Sequence, residues 1–376
     1  MEFNLNEETV LLKNSAERYL REKCPSSLVR GLIEDRVGFS KSIWKETAEL
    51  GWLGLIYDQK YGGFEGAFFD LFILFEEMGK VLLPSPFLCS AVLSGLVINE
   101  AGDDSLKNEY LPSIIQGEKI LTTALLDEQG GYDAQTPGVE ARKTQTGSYV
   151  LNGTKLLVPY AHVVDEIILC ANVKDEKQGG PTLFKIDGNA EGLEKAALDT
   201  TGSEKLSALI LKDVAASAES IIGSVGQGDV YLSKVMPKAT VLKCGEMLGG
   251  LQRVVEMTVE YMKERHQFGR PLGTLQAVQH FCADMATYLE TARLIAYQAA
   301  YLLSEGLPCA KEISMAKAWC GDAYNKTTRI GHQLHGGIGF TEEHDLHLFY
   351  THAMVSALDF GSSWSHRSKV ADELGI

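Results

Sequence analysis

The stretch Glu264–Met285, ERHQFGRPLGTLQAVQHFCADM, lies between two segments whose apolar residues recur at helical spacing. Gly269, Pro271 and Gly273 interrupt it, and glycines and prolines so close together end helices and form turns. Two arginines, a histidine and a phenylalanine nevertheless fall within six residues of this break. A plain helix–helix turn does not need these side chains. The stretch therefore predicts a helical hairpin whose turn has a further role.

Long helical patterns lie on both sides of this stretch, in the C-terminal part of the chain. They are joined by short turns, which is typical of an antiparallel bundle. We therefore predict a C-terminal helical bundle over residues 225–376. The helical segments are MLGGLQRVVEMTVEYMKER (247–265), GTLQAVQHFCADMATYLETARLIAYQAAYLLSEG (273–306) and AKEISMAKAWCGDAYNKTTRIGHQLHGG (310–337).

The pattern changes upstream, between residues 120 and 224. The run YVLNGTKLLV (149–158) has apolar stretches on both sides of Asn152-Gly153. Asn-Gly accepts the positive φ angles of a type I′ turn, so this run predicts a β-hairpin that turns at Asn152-Gly153. Further strands are predicted at EIILCANV, GPTLFKID and SALILKDV. Together these segments predict a middle β-domain, either a small barrel or a sandwich.

Residues 1–119 have a helical pattern. Asn6, followed by acidic residues, is placed to cap a first helix. IWKETAELGWLGL predicts a helix closed by Gly51, and LFILFEEMGKVLL predicts one that ends before Pro84. The predicted fold is α+β and multidomain: a helical domain (1–119), a β-domain (120–224) and a helical bundle (225–376).

The composition limits the class of protein. The 376-residue chain is 45% hydrophobic with a formal net charge of −15. A large core is possible, and nucleic acid or an anionic membrane is not expected as the main partner. The seven cysteines are dispersed without a CxxC pair, and the sequence has neither a secretory pattern at its start nor a long apolar run. We therefore expect a cytoplasmic protein that does not span a membrane.

Two motifs carry a family resemblance. RHQFGRPLGTLQAVQHFCADM (265–285) and QLHGGIGFTEEHDLHLFYTHA (333–353) resemble the C-terminal signatures of the flavin-dependent acyl-CoA dehydrogenases. The helix–strand–helix order matches that family over essentially the whole chain. The resemblance implies FAD held between the β-domain of one subunit and the bundle of a neighbour in a tetramer. It also implies an acyl-CoA substrate oxidised to the enoyl-CoA, and an electron-transfer flavoprotein as electron acceptor.

The resemblance assigns roles to individual residues. Arg265 matches the arginine that reaches the FAD pyrophosphate of a neighbouring subunit, for which a guanidinium fork is suited. Phe268 matches the aromatic residue that packs on the cofactor. The alternative is a capped turn with a packed phenylalanine and solvated arginines. Glycines let a backbone approach phosphates closely. The remaining residues implied to contact FAD are Gln276, Gln333, Gly336, Gly337 and Ser362.

The catalytic base departs from the family pattern. The usual glutamate stands in a Tyr-Glu-Gly-Thr segment, and its position here is Phe360. A minority of relatives place it on the first bundle helix, where this chain has Ala239. Two relocated candidates remain, Asp359 and Glu246, since a desolvated carboxylate can have a pKa raised towards neutrality. The alternatives are a surface acid for Asp359 and an ion-pair partner for Glu246.

The flavin-ring segments of the β-domain also depart from the pattern. Hydroxyl-bearing family residues are replaced in Leu126-Asp127-Glu128, Gly131-Tyr132-Asp133 and Leu157-Val158-Pro159. Proline removes a backbone donor as well. Two interpretations follow. The chain is an active dehydrogenase with a relocated base, for a bulky, cyclic or dicarboxylic acyl group, or it is a base-lacking subunit that completes a partner's FAD site.

A metal-dependent hydrolase is an alternative from another class. Glu343, His344, His347 and His352 crowd together, and imidazoles at such spacing can bind zinc. The segment lies inside the FAD motif and has no further ligand at a diagnostic spacing. We therefore expect no metal.

Overall fold

A computed structural model describes residues 5–128, 131–132, 136–174 and 179–376. The chain forms two compact units, each assembled from separate stretches. The domain boundaries predicted near residues 120 and 225 divide the chain into continuous segments. They are not tested by this division into discontinuous units and stay a prediction. The first unit contains the chain up to Arg30, Ala67–Leu83 and Thr240–Ile376; the second contains Gly31–Gly66 and Pro84–Ala239.

The order of elements is helical, then β, then helical, which confirms the predicted fold class. Within the described residues, no helix is both long and apolar enough to cross a membrane. The helices are α1 (Glu7–Lys23), α2 (Ser26–Glu34), α3 (Lys41–Glu49), α4 (Phe68–Val81), α5 (Gly95–Ala101), α6 (Asp104–Ile115), α7 (Gly228–Glu264), α8 (Gln276–Ser304), α9 (Ala310–His335), α10 (Leu346–Ser356) and α11 (Ser363–Leu374).

The strands between α6 and α7 build the β-domain as one nine-stranded sheet, with the path β7-β8-β4-β3-β5-β6-β9. Two short strands join it at the side, β1 against β5 and β2 against β4. The strands are β1 (Leu121–Ala124), β2 (Leu126–Asp127), β3 (Glu140–Lys143), β4 (Tyr149–Pro159), β5 (Glu166–Val173), β6 (Gly180–Asp187), β7 (Leu193–Leu198), β8 (Leu206–Ala216) and β9 (Ile221–Ile222).

The helix ends follow local chemistry. The Asn6 side chain accepts a hydrogen bond from the Thr9 amide at 2.7 Å, so the predicted cap of α1 is confirmed. α3 ends just before Gly51, whose φ of 78° terminates the helix as predicted. α4 ends at Val81, and Leu82 takes a left-handed conformation two residues before Pro84.

The predicted turn at Asn152-Gly153 is wrong. β4 runs through both residues, and the hairpin from β3 turns earlier, where the Thr144 amide bonds the Ser148 carbonyl at 2.8 Å. Opposite Asn152, β8 has an additional residue, and Asp213 adopts a φ of 54° there. Two hydrogen bonds of 2.9 and 3.0 Å join Asn152 to Asp213. The Asn-Gly pair therefore serves a β-bulge, which also uses unusual φ angles.

The stretch Glu264–Met285 forms the predicted helical hairpin, with a short β-ribbon at the turn. α7 ends at Glu264, and β10 (His266–Gln267) pairs with β11 (Arg270–Pro271) in a two-stranded ribbon. Phe268 and Gly269 form its tip, with φ angles of 53° and 75°. Positive φ at both central residues is the requirement of a type I′ turn. The tight ribbon directs the Phe268 side chain outwards, and 85% of it is exposed.

Three helices of the first unit, α4, α7 and α9, pack closely at glycine residues. A Cβ on Gly249 would lie 1.8 Å from the Glu76 carbonyl oxygen, and one on Gly79 would lie 2.0 Å from the Glu246 carbonyl oxygen. α4 and α7 therefore approach each other with only glycine between their backbones. On α7, a Cβ on Gly250 would lie 2.2 Å from the Tyr324 hydroxyl of α9.

Candidate active site and cofactor surface

The residues that the sequence assigns to FAD lie at the surface of the first unit. Arg265 follows the last residue of α7, and Phe268 occupies the tip of the β10–β11 ribbon. Gln276 begins α8, and Gln333 lies on the last turn of α9. All four side chains are exposed. Exposure is what a group needs in order to serve a ligand shared with a neighbouring subunit.

The glycines after α9 leave their surroundings open. Gly336 ends the helix with a φ of 66°, and a 3₁₀ turn follows over Gly336–Phe340. A Cβ on either Gly336 or Gly337 would meet nothing within 4 Å. The backbone here can be approached closely, which fits the phosphate and ribose end of a dinucleotide. These residues therefore fit the nucleotide half of FAD.

Ser362 is engaged differently. Its hydroxyl accepts a hydrogen bond from the Ser365 amide at 3.3 Å and caps α11. The cap uses one acceptor position of the hydroxyl. The assignment of Ser362 to the residues that contact FAD stays a prediction.

The flavin-ring segments of the second unit hold other interactions. Asp127, 8% exposed, pairs with the Nζ of buried Lys155 at 2.6 Å. Leu157 has a φ of 50° and is 43% exposed, and Pro159 pairs with Leu206 on β8. None of these side chains has a hydroxyl to offer a flavin. Asp133, also part of this set, lies outside the described residues.

The usual base positions are apolar in the structure as in the sequence. Ala239 is fully buried on α7. Phe360 lies between α10 and α11 with a φ of 56°. Asp359, the residue before it, extends its carboxylate to the Lys243 Nζ at 3.4 Å.

Four ionisable groups and a phenol gather around this position. Lys243 pairs with Glu246 at 3.0 Å and with Asp359 at 3.4 Å. The other Glu246 oxygen lies 2.6 Å from His352 Nε2, and His352 Nδ1 lies 3.2 Å from the Tyr324 hydroxyl. We call Lys243, Glu246, His352, Tyr324 and Asp359 the polar cluster. Buried charges persist only when paired in this way.

The two candidate bases differ within the polar cluster. Burial alone raises the pKa of Glu246, but Lys243 and the His352 hydrogen bond outweigh it and lower the pKa to about 2. Such a carboxylate stays ionised and is a weak proton acceptor. Asp359 also contacts Lys243, and its side chain is slightly more exposed than that of Glu246, 29% against 21%, which favours it of the two as the group that meets a substrate.

Two members of the polar cluster, Lys243 and Tyr324, were not among the residues predicted from the sequence. Lys243 and Glu246 are three residues apart on α7, which brings their side chains together on one helix face. This spacing in the sequence could have indicated an ion pair. The contacts of Tyr324 and His352 join α9 to α10 and have no signature in local sequence.

The histidines of the metal alternative have other partners. The His344 Nδ1 accepts from the Leu346 amide at 3.1 Å, and His352 belongs to the polar cluster. Among the described residues, no group of three or more histidine, cysteine or acidic side chains is arranged to hold a metal ion. The hydrolase interpretation therefore has no structural support.

Comparisons with known proteins identify relatives along most of the chain. Family models for the acyl-CoA dehydrogenase N-terminal, middle and C-terminal domains match residues 6–118, 122–214 and 226–375. The mitochondrial short/branched chain specific acyl-CoA dehydrogenase of Rattus norvegicus is 29% identical, over 95% of this chain and 83% of that protein. Caffeyl-CoA reductase-Etf complex subunit CarC of Acetobacterium woodii is also 29% identical, over 88% of this chain and 89% of its own length.

Among solved structures, the ChsE4-ChsE5 complex from Mycobacterium tuberculosis has a TM-score of 0.90 at 26% identity. The match covers 100% of this chain and 99% of that chain. The three domain matches together span nearly the whole sequence, and the dehydrogenase and reductase relatives align along most of their own length. The chain belongs to the acyl-CoA dehydrogenase family of oxidoreductases.

Proposed function

We propose that the chain oxidises an acyl-CoA thioester to the enoyl-CoA, with Asp359 as the proton acceptor. The observation that supports this is the contact between Asp359 and Lys243 beside Phe360, which holds the usual base position. FAD, when bound, supplies the acceptor for the hydride from the β-carbon. The relative named as a subunit of a reductase-Etf complex supports an electron-transfer flavoprotein as the next electron carrier.

The nucleotide half of FAD would be held by Arg265, Phe268 and the open backbone at Gly336-Gly337. A guanidinium binds a pyrophosphate through several charge-assisted hydrogen bonds. Gln276 belongs to the first motif and Gln333 to the second. Both side chains are exposed and would add polar contacts. Because all these side chains face outwards, the cofactor they hold belongs to a shared site in an oligomer.

Asp359 would take the α-proton of the thioester. The Lys243 Nζ lies 3.4 Å from the Asp359 carboxylate and would orient it before the substrate arrives. A negative charge then forms on the thioester enolate as the proton leaves. The polar cluster makes the region more polar than an alkyl chain requires, which favours a dicarboxylic acyl group. A base displaced from the usual position would suit a bulky or cyclic acyl group.

A second candidate function is a subunit that completes its partner's FAD site without doing the chemistry. The apolar Phe360 and Ala239 favour it, as does the absence of side-chain hydroxyls at Asp127, Leu157 and Pro159 in the flavin-ring segments. The structural relative described as a ChsE4-ChsE5 complex contains two differently named chains, which supports a paired arrangement of this kind.

Rapid flavin reduction distinguishes the two. The purified flavoprotein is mixed anaerobically with straight, branched, cyclic and dicarboxylic acyl-CoAs, and the loss of flavin absorbance is followed. We expect reduction by at least one acyl-CoA, slowed by about 10²-fold or more in Asp359→Asn, because a positioned base contributes that much. Reduction at the wild-type rate in Asp359→Asn would assign the base to another residue or to a partner chain.

A further inference from the structure

The turn between α10 and α11, residues 357–362, has an unfavourable backbone. Phe360 has a φ of 56° and Gly361 has a φ of 109°. A phenylalanine in the left-handed region is unusual, since its Cβ crowds the backbone there. A Cβ on Gly361 would lie 2.9 Å from Ser365 Oγ and 3.0 Å from His366 Nε2. The surroundings therefore hold this turn in one conformation.

Two buried side chains fix its carbonyl groups. The Lys317 Nζ donates to the carbonyl oxygens of Ala357 and Gly361, at 3.0 Å each. The His366 Nε2 lies 3.0 Å from the Phe360 carbonyl oxygen and, facing an acceptor, donates to it. Lys317 is fully buried and His366 is 3% exposed.

The turn does not need the hydrogen bonds from Lys317 and His366 in order to close. The turn already has a backbone bond from the Gly361 amide to the Leu358 carbonyl at 3.1 Å, and Ser362 caps the following helix. A buried amine loses its hydration, which is unfavourable and lowers the pKa of Lys317. Buried polar groups that fix a strained backbone are typical of functional sites.

Asp359 stands within the turn fixed in this way. Its neighbours on both sides, Ala357 and Phe360-Gly361, have their carbonyls bound, so the Asp359 backbone has little freedom. Its carboxylate is aimed at Lys243, which is only 7% exposed, while Asp359 itself keeps 29% of its side chain accessible. The carboxylate is thus held but still reachable.

We propose that Lys317 and His366 are positioning residues that hold Asp359 for abstraction of the substrate α-proton. This proposal rests on the function proposed above. In that step the α-carbon–hydrogen bond breaks, its electron pair stays on the thioester as the enolate, and the proton bonds to an Asp359 oxygen. In D₂O the reverse step returns a deuteron to the α-carbon.

The test measures this exchange directly. The purified flavoprotein is incubated anaerobically in D₂O with an acyl-CoA that reduces it, and deuterium at the α-carbon is followed by mass spectrometry. His366→Leu removes the donor, whereas His366→Gln keeps an N–H near the Nε2 position. We expect exchange to fall by about 10–100-fold in His366→Leu with little change in KM, and His366→Gln to recover most of it.

Lys317→Met is a second variant for which the same loss is expected. Thr327→Val is the matched control, because Thr327 is buried on α9 and its hydroxyl has no hydrogen-bond partner among the described atoms. The control should exchange at the wild-type rate. Thermal unfolding of each variant shows whether a lower rate merely follows a lower stability.

The outcomes separate the two proposals. A wild-type protein that exchanges no α-proton would overturn the proposed function and this inference with it. Normal exchange in the wild type together with normal exchange in His366→Leu would overturn the positioning role alone. Equal losses in His366→Leu and His366→Gln would also overturn it, because the effect would then be independent of the donor.

Discussion

Two carboxylates of the bundle, Glu246 and Asp359, differ in chemistry because of their neighbours. Both contact Lys243, but Glu246 also bonds His352. These two partners lower the pKa of Glu246 to about 2, so its charge stabilises the fold and is poorly suited to proton transfer. Residue type alone gave two candidate bases, and only the contacts distinguish them.

Glu246→Gln is expected to lower the free energy of unfolding by about 3 kcal/mol at pH 7, because the change leaves Lys243 and His352 without their shared anion. The folded-state pKa of about 2 lies below the ordinary 4.5 of a glutamate. The stability that ionised Glu246 contributes is therefore present above about pH 4.5 and is lost as the pH falls towards 2. Urea unfolding of both proteins at pH 7, 5 and 3.5 should show the difference narrowing at the lowest pH.

Glu49→Gln provides the comparison for that series. Glu49 is 65% exposed and pairs with Lys45 at 3.8 Å on α3. Exposed pairs contribute little, so this variant should change stability by less than about 0.5 kcal/mol at each pH. Equal effects of the two substitutions, or a Glu246→Gln effect that does not depend on pH, would contradict the assigned role of Glu246.

At the scale of secondary-structure elements, sequence patterns predicted what local chemistry controls. The Asn6 cap of α1 and the ends of α3 and α4 were predicted from residues within a few positions. The Asn152-Gly153 turn was wrong because a partner strand overrode the local preference. The bulge there depends on Asp213, 61 residues further along the chain, and no local pattern contains that information.

The candidate site divides in the same way. Arg265, Phe268 and the glycines after α9 could be singled out from the sequence because each belongs to a continuous motif, and their role towards FAD stays a prediction. Lys317 could not be singled out in this way, because its partners, the Ala357 and Gly361 carbonyls, lie 40 and 44 residues further along the chain. Contacts between distant segments follow from packing, which short-range periodicity does not encode.

Gly153→Ala tests the bulge. Gly153 has a φ of 144°, and an added Cβ would lie 2.8 Å from the Val139 Cα. Strain and crowding together should lower the free energy of unfolding by about 2–3 kcal/mol. Gly147→Ala is the matched control, since Gly147 also has a positive φ, 87°, but an added Cβ would meet nothing within 4 Å.

The control should lose only about 1 kcal/mol, the cost of the backbone conformation alone. Urea denaturation followed by far-ultraviolet circular dichroism measures both variants. If the two glycines prove equally sensitive, the close approach to Val139 is not what Gly153 provides, and the bulge geometry would need another explanation.

At the scale of the whole molecule, the residues predicted to contact FAD are distributed unevenly between the two units. The residues suited to the nucleotide half of FAD are present and exposed in the first unit. The segments suited to the flavin ring in the second unit carry Leu157, Pro159 and an Asp127–Lys155 pair in place of hydroxyl groups. This distribution favours a chain that contributes more to a neighbour's cofactor than to its own.

The chain purified alone is therefore expected to contain less than one FAD per chain, and co-expression with a second family member from the same host should raise flavin content. The ratio of visible flavin absorbance to protein, with the mass of the assembly from light scattering, measures this. Arg265→Ala should lower flavin content further without changing thermal unfolding, because the side chain is exposed and its proposed role is to bind the pyrophosphate.

Arg270→Ala serves as its control, since Arg270 is exposed on the same ribbon and is not among the residues that the resemblance assigns to FAD. A yellow assembly of this chain alone, with one FAD per chain and full reduction by an acyl-CoA, would contradict the uneven division of the site. Equal flavin loss in the two arginine variants would instead mean that the ribbon attracts the pyrophosphate through general positive charge. A specific loss in Arg265→Ala would assign to that residue a direct role in holding the cofactor.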